Sequence, residues 1–130
     1  MTLLDTDICS FAIRGTLPNL NRRIMDFNGE LCVSAITAAE LRYGASKKNS
    51  QKLRQAVERF LSLVQIVPWT AAAASVYAEI RTHLEQNGTP IGNMDLLIAS
   101  AARAEGAFLV THNTAHFSRV PGLFIEDWTV

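Results

Sequence analysis

Leu31-Cys32-Val33-Ser34-Ala35-Ile36-Thr37-Ala38-Ala39-Glu40-Leu41-Arg42-Tyr43-Gly44 is the stretch whose reading decides the fold. Leu31 to Ser34 has the length and apolar character of a short strand. It feeds a helix from about Thr37, where Thr37-Ala38-Ala39-Glu40 has the spacing of a capping box. Gly44 interrupts that helix or sits near its end. A strand this short and this apolar belongs inside a sheet covered on both faces, and the helix that follows is what covers it.

Working outward, the same strand–helix alternation recurs. Toward the N-terminus, Thr2-Leu3-Leu4-Asp5 reads as a buried strand followed by a short helix from about Asp7. Leu17 to Phe27 is a second helical stretch with Pro18 near its first turn. Toward the C-terminus, Ser50 is placed to cap a helix over Gln51 to Leu63, with Leu53, Val57, Phe60, Leu61 and Val64 at helical spacing. Gln65-Ile66-Val67 is a third strand, closed by Pro68. Thr70 caps an alanine-rich helix from Ala71 to Gln86, and Gly88 lies just past its end. A turn-rich loop over residues 88–93 leads to a helix from Asp95 to Glu105, stopped by Gly106. Ala107 to Thr111 is a fourth strand and Phe124-Ile125-Glu126 a fifth. Short apolar strands separated by helices imply a parallel sheet with helices on both faces, ordered by right-handed crossovers. The expected fold is a small α/β/α three-layer sandwich, one domain over residues 1–130.

The composition agrees with a packed domain. Of 130 residues, 48% are hydrophobic and 18% charged, which is too apolar and too weakly charged for a disordered chain. The formal net charge of zero argues against a protein held to nucleic acid by bulk basicity. The cations are nevertheless uneven: Arg42, Lys47, Lys48, Lys52, Arg54 and Arg59 face one acid, Glu58, within their stretch. Such a run is either a solvated helix face or a flank that contacts phosphate. Cys9 and Cys32 sit among apolar residues and read as buried free thiols. The first residues lack the basic and apolar regions of a secretory signal, and no apolar run approaches the ~20 residues that span a bilayer, so a cytoplasmic protein without a membrane is expected.

Ligands of open parallel sheets bind outside the carboxyl ends of the strands. Asp5 and Asp7 follow the first strand, Glu40 lies early in the helix after the second, and Asp95 opens the helix before the fourth. Thr111 and Asn113 end the fourth strand. Taken singly, Asp5 could merely cap the next helix, Asp95 could be only a helix-start acid and Glu40 only the return half of the capping box. Taken together, Asp5, Glu40 and Asp95 would repel one another at one rim, and a hard divalent cation, Mg²⁺ or Mn²⁺, would relieve that conflict. Such a cation also prepares water for attack on a phosphodiester. His112 and His116 flank Asn113 without the further ligands a zinc site needs. His83 reads as exposed, and Trp69, Tyr77 and Trp128 as core or edge aromatics. Tyr43 follows Glu40 by three and shares its helix face.

Four segments add specificity. Leu3-Leu4-Asp5-Thr6-Asp7 and Val33 to Gly44 resemble the opening half of a PIN domain. Gly92-Asn93-Met94-Asp95-Leu96-Leu97-Ile98-Ala99 is similar to its third motif. Leu109-Val110-Thr111-His112-Asn113, with Phe117 and Gly122-Leu123, is similar to its fourth. The ending Ile125-Glu126-Asp127-Trp128 resembles that of VapC-type toxins of VapBC toxin–antitoxin pairs. The resemblance implies an Mg²⁺- or Mn²⁺-dependent endoribonuclease acting on structured RNA such as a tRNA or ribosomal RNA loop, working as a homodimer and inhibited by a small antitoxin. It implies that Asp5, Glu40 and Asp95 hold one or two metal ions, with Asn113 as a fourth catalytic residue and Thr111 or His116 as rivals for that place. Two departures stand out: Asp7 replaces the family's more usual Asn or Ser, and His116 stands where many relatives carry an acid. The competing readings are a PIN-like scaffold that binds RNA or antitoxin without cutting, and an Asp-nucleophile phosphatase suggested by Asp5-Thr6-Asp7.

Overall fold

A computed structural model describes residues 1–130. Five strands form one parallel sheet: β1 (Thr2–Leu4), β2 (Leu31–Ser34), β3 (Gln65–Val67), β4 (Phe108–Val110) and β5 (Phe124–Glu126), in the spatial order β3-β2-β1-β4-β5. Seven helices connect them: α1 (Thr6–Arg14), α2 (Pro18–Asp26), α3 (Ala35–Lys47), α4 (Gln51–Leu61), α5 (Ala71–Gln86), α6 (Asn93–Ala104) and the single turn α7 (Thr114–Phe117).

The register explains the layers. Leu3 pairs with Cys32 and Leu109, and Leu4 with Val110. Successive strand side chains point to opposite faces. Leu3, Cys32 and Leu109 therefore join Ile80, Leu84, Leu96, Ile98 and Phe117 on the face covered by α5, α6 and α7. Leu4, Val33 and Val110 join Ile8, Leu20, Leu41, Val57 and Trp128 under α1 to α4. The chain winds outward from β1 to β3, then returns to lay β4 on the other side of β1. Right-handed crossovers running in opposite directions put their helices on opposite faces, which is the expected three-layer sandwich.

The punctuation seen in the sequence acts as expected at several places. Ser50 Oγ accepts from Leu53 N–H and Thr70 Oγ1 from Ala73 N–H, Pro18 opens α2, and Gly88 and Gly106 close α5 and α6 with φ of +66° and +63°. Cys9 and Cys32 are buried and free. No helix is long and apolar enough to cross a membrane.

Other expectations are corrected. Thr37-Ala38-Ala39-Glu40 is not a capping box. The helix begins straight from β2 at Ala35, and its cap is Ser34, whose Oγ accepts from Ile36 N–H at 3.1 Å. Thr37 is thereby two residues inside the helix and fully buried. Gly44 is interior to α3 rather than its end. The fourth helix stops at Leu61, two residues short of the expected end, and α6 starts at Asn93, two residues before Asp95. The turn α7 leaves no mark in the sequence pattern, because four residues are too few for an apolar period.

Candidate active site

The reversal of strand order beside β1 leaves a crevice at the carboxyl ends of β1 and β4. Asp5 leaves β1 there, held by a backbone bond from its N–H to Val110 O (3.0 Å). Its side chain is 3% exposed and caps α1, with Oδ1 accepting from Ile8 N–H at 2.8 Å. The helix-cap reading of Asp5 is thus correct for one oxygen. The Thr111 hydroxyl, at the end of β4 and fully buried, acts on the carboxylate as well. Thr111 and the bond from Ile8 lower the pKa of Asp5, but burial outweighs them, and the negative charges of Asp7 and Asp95 add to the burial. The result lies at about 7, against an ordinary 3.8.

Asp95, in the first turn of α6, approaches from the opposite face of the sheet. Its pKa is also raised, first by burial, then by Asp7 and Glu40, with His116 acting the other way. Glu40 lies on the second turn of α3, where the Thr6 hydroxyl donates to its Oε1 at 2.7 Å and shares a 3.1 Å bond with the Thr37 hydroxyl. Asp7 is exposed on the first turn of α1 and lines the same cleft as Glu40. The fold therefore brings Asp5, Asp7, Glu40 and Asp95 into one electrostatic neighbourhood from three helices and two sheet faces. None of the four takes part in an ion pair, although four arginine–carboxylate pairs occur elsewhere.

Asn113 sits beside this group in a chain of bonds. Its N–H donates to Thr111 Oγ1 at 2.9 Å, and its Nδ2 lies 2.8 Å from His116 Nδ1. With the amide as donor, the ring Nδ1 accepts and the imidazole proton is left on Nε2. Thr111, Asn113 and His116 thus link Asp5 to the neighbourhood of Asp95. His112 turns away, bonded through Nδ1 to Asp127 and Thr129 of the C-terminal segment. His83 is exposed, and Tyr43 points to solvent.

The donor set suits a hard dication. The acidic and hydroxyl groups offer oxygen only, none of the acids is ion-paired, and burial raises the pKa of Asp5 and of Asp95, a penalty that a bound positive charge would offset. As the side chains stand, no three His, Cys, Asp or Glu groups are gathered closely enough to hold a metal ion. The acids share a field rather than a coordination point, so closing them around an ion calls for side-chain rotation. The residue missed in the sequence is Thr6. It carried a signal, a hydroxyl between two acids at a strand end, but its bond to Glu40 joins positions 34 residues apart.

Comparisons with known proteins agree with this architecture. The PIN domain family matches residues 2–123. The chain is similar to ribonuclease VapC2 of Rickettsia felis, with 43% identity over 97% of this chain and 96% of that one. It is similar to the tRNA(fMet)-specific endonuclease VapC of Shigella flexneri, with 40% identity over 98% and 97%. Its fold superposes on a chain in the crystal structure of VapBC2 from Rickettsia felis bound to promoter DNA, with a TM-score of 0.90, 42% identity and 98% of both chains covered. End-to-end agreement of sequence and fold leaves one assignment: the chain belongs to the PIN-domain family, among the VapC ribonucleases.

Proposed function

We propose that this protein is the toxin of a toxin–antitoxin pair, an endoribonuclease that hydrolyses structured RNA at the Asp5–Glu40–Asp95 rim with the help of Mg²⁺ or Mn²⁺, and that Asn113 is a fourth member of its catalytic set. The observation that carries this reading is the gathering of acids from α1, α3 and α6 at the strand-order reversal, with no basic side chain paired to any of them. A purely structural rim would be expected to neutralise such charges with lysine or arginine.

Asp5, Glu40 and Asp95 would hold the cation, which when bound supplies neutralisation of the phosphate charge and an acidified water. The protein's own groups set the geometry. Ile8 N–H fixes the rotamer of Asp5, while Thr6 holds Glu40 against the start of α1. Asn113 fixes the His116 ring and presents a neutral amide beside the acids, suited to a phosphate oxygen. Attack of water on phosphorus breaks the bond to the 3′-oxygen and leaves a 5′-phosphate and a 3′-hydroxyl.

The antitoxin has a suitable bed. A groove between α2 and α4, of about 440 Å³, is lined by Ile24, Met25, Leu31, Phe60 and Leu63. Met25 and Leu63 are 84% and 79% exposed, and the buried Asn21 Oδ1 on its wall has no hydrogen-bond donor. Ile13 lines both this groove and the acidic cleft, so a bound segment would reach the acids.

The test is cleavage of bulk tRNA and ribosomal RNA with Mn²⁺. Asp95→Asn should lower the rate by more than about 100-fold, since even outer-shell partners of a metal account for 10- to 100-fold, with unchanged circular dichroism. A variant that cuts at the normal rate refutes the role given to Asp95. RNA bound but never cut by the wild-type chain would favour the scaffold reading, and burst release of phosphate from a small ester the phosphatase.

A further inference from the structure

We propose that the cleft beside the acids is a subsite for one unstacked nucleotide of the RNA, its phosphate held by Arg14 and Lys48 and its base lying on an apolar floor that Gly44 leaves uncovered. The proposal rests on the nuclease reading of the neighbouring acids.

The cleft, of about 260 Å³, is walled by α1, α3 and α4. That is at or below the low end of pockets for drug-sized ligands, roughly 300 Å³, and so suits a single nucleotide rather than a folded element. Asp7 and Glu40 stand in the early turns of α1 and α3. Arg14 and Lys48 stand at their far ends, seven and eight residues later, or about 10–12 Å along a helix. The cleft is therefore acidic at the sheet rim and basic at its outer end.

Both cations are available. Neither is in an ion pair, whereas Arg42 is held by Glu58, Arg81 by Glu85 and Arg103 by Glu79. Arg14 donates from Nε to Ser10 O at 3.2 Å and its guanidinium lies 5.4 Å from the centre of the Phe11 ring, which orients the group and leaves its two Nη atoms without a protein acceptor. A planar, oriented guanidinium that lines the same cleft as a lysine can serve with it as a phosphate clamp.

Gly44 supplies the second, independent observation. It lies one turn after Glu40 on the same helix face, inside a regular helix. Glycine there costs about 1 kcal/mol relative to alanine. The usual reasons for accepting that cost do not apply: its φ is not positive, and a Cβ built on it meets nothing within 4 Å. What the missing side chain leaves is open space in the wall of a cleft that Leu41, Leu53 and Val57 also line, where a base can rest against hydrocarbon. Recognition of RNA by unstacked bases on such surfaces, with the backbone held by cations, is the general pattern for single-stranded segments. The same charges argue against an apolar peptide as the occupant of this cleft.

The probe is a fluorescein-labelled single-stranded RNA hexamer, with binding measured in EDTA so that it is not cut, beside cleavage of bulk tRNA with Mn²⁺. Gly44→Leu fills the cleft and should weaken hexamer binding and raise KM about tenfold, with kcat changed far less. Gly44→Ala should bind normally and melt at a higher temperature. The double variant Arg14→Gln/Lys48→Gln tests the clamp even if the leucine variant does not fold. Its salt slope of log affinity should fall by about 0.7 for each phosphate that is no longer neutralised. Wild-type affinity and salt slope in that double variant, with cleavage intact, overturn the subsite and leave the nuclease reading standing. Wild-type chain that cuts no tRNA overturns the nuclease reading and this one with it. Normal RNA binding in Gly44→Leu with loss of antitoxin binding would assign the cleft to protein instead, also against the proposal.

Discussion

Replacing Asp5 with asparagine should make the metal-free protein more stable at alkaline pH while removing its activity. The carboxyl group is 3% exposed and its pKa is raised to about 7, mainly by burial, while the unfolded chain ionises it near 3.8. The sign follows from proton counting. Below pH 3.8 both states keep the proton and nothing is lost. Between 3.8 and about 7 the unfolded state gives up its proton first, so stability falls as pH rises. Above 7 the folded state holds a buried charge at full penalty. At about 1.4 kcal/mol per pH unit, the penalty is about 1 kcal/mol at pH 4.5 and about 4 kcal/mol at pH 8. Asparagine avoids it and still caps α1, because its Oδ1 accepts from Ile8 N–H as the carboxylate does, and Asn and Asp are near-equal caps. For a domain of this size 1 kcal/mol moves Tm by about 3–5 °C. The Tm advantage of Asp5→Asn in EDTA should therefore grow by roughly 10–15 °C between pH 4.5 and pH 8. Calorimetric or circular-dichroism melting at both pH values measures it. Saturating Mn²⁺ at pH 8 should raise the wild-type Tm toward that of the variant and leave the variant unmoved. A Tm difference independent of pH would refute the reasoning, because a buried charge could then not be its source.

Other outcomes follow from the same geometry. Thr6→Val keeps the shape of α1 but releases Glu40; it should lower stability by only about 1 kcal/mol and reduce kcat about tenfold with little change in KM, which stopped-flow cleavage and urea titration separate. Leu109→Ala, in the middle of the sheet and fully buried, should lower stability by about 2–5 kcal/mol, measured by urea unfolding; a loss under 1 kcal/mol would contradict the close packing of the α5–α6 face. Burial raises the pKa of Cys9 well above the ordinary thiol value, and burial with Glu30 lifts Cys32 to about 11. Neither should react with a thiol reagent at pH 8 until the protein is unfolded, when both should titrate.

Much of the site can be read in the chain because its parts are local. Asp5 is legible where an apolar strand ends and a helix begins, Asp95 as an acid entering a helix after a turn-rich loop, and Thr111 and Asn113 as the polar end of a strand. Glu40 is legible as a candidate, but its partner is not the one that its spacing suggests. The capping-box spacing is a local signal, and it is overridden because Ser34, at the junction with β2, takes the cap and carries Thr37 into the helix. Glu40 then turns to Thr6, across the gap between α1 and α3. No window on the sequence contains both residues, so no local rule could pair them.

The sequence by itself determined the alternation of five short strands with helices, most of their caps, the acids at the strand ends and the family to which they belong. Those features depend on interactions within a few residues, where backbone geometry and side-chain type are sufficient. Only the tertiary structure decided that β4 lies against β1, that α6 brings Asp95 from one face of the sheet to the acids of α1 and α3 on the other, and that Asp5 is buried deeply enough to hold a proton near neutral pH. The physical reason is that burial and the field of neighbouring charges are properties of the packed chain, set by contacts between segments that the sequence keeps far apart.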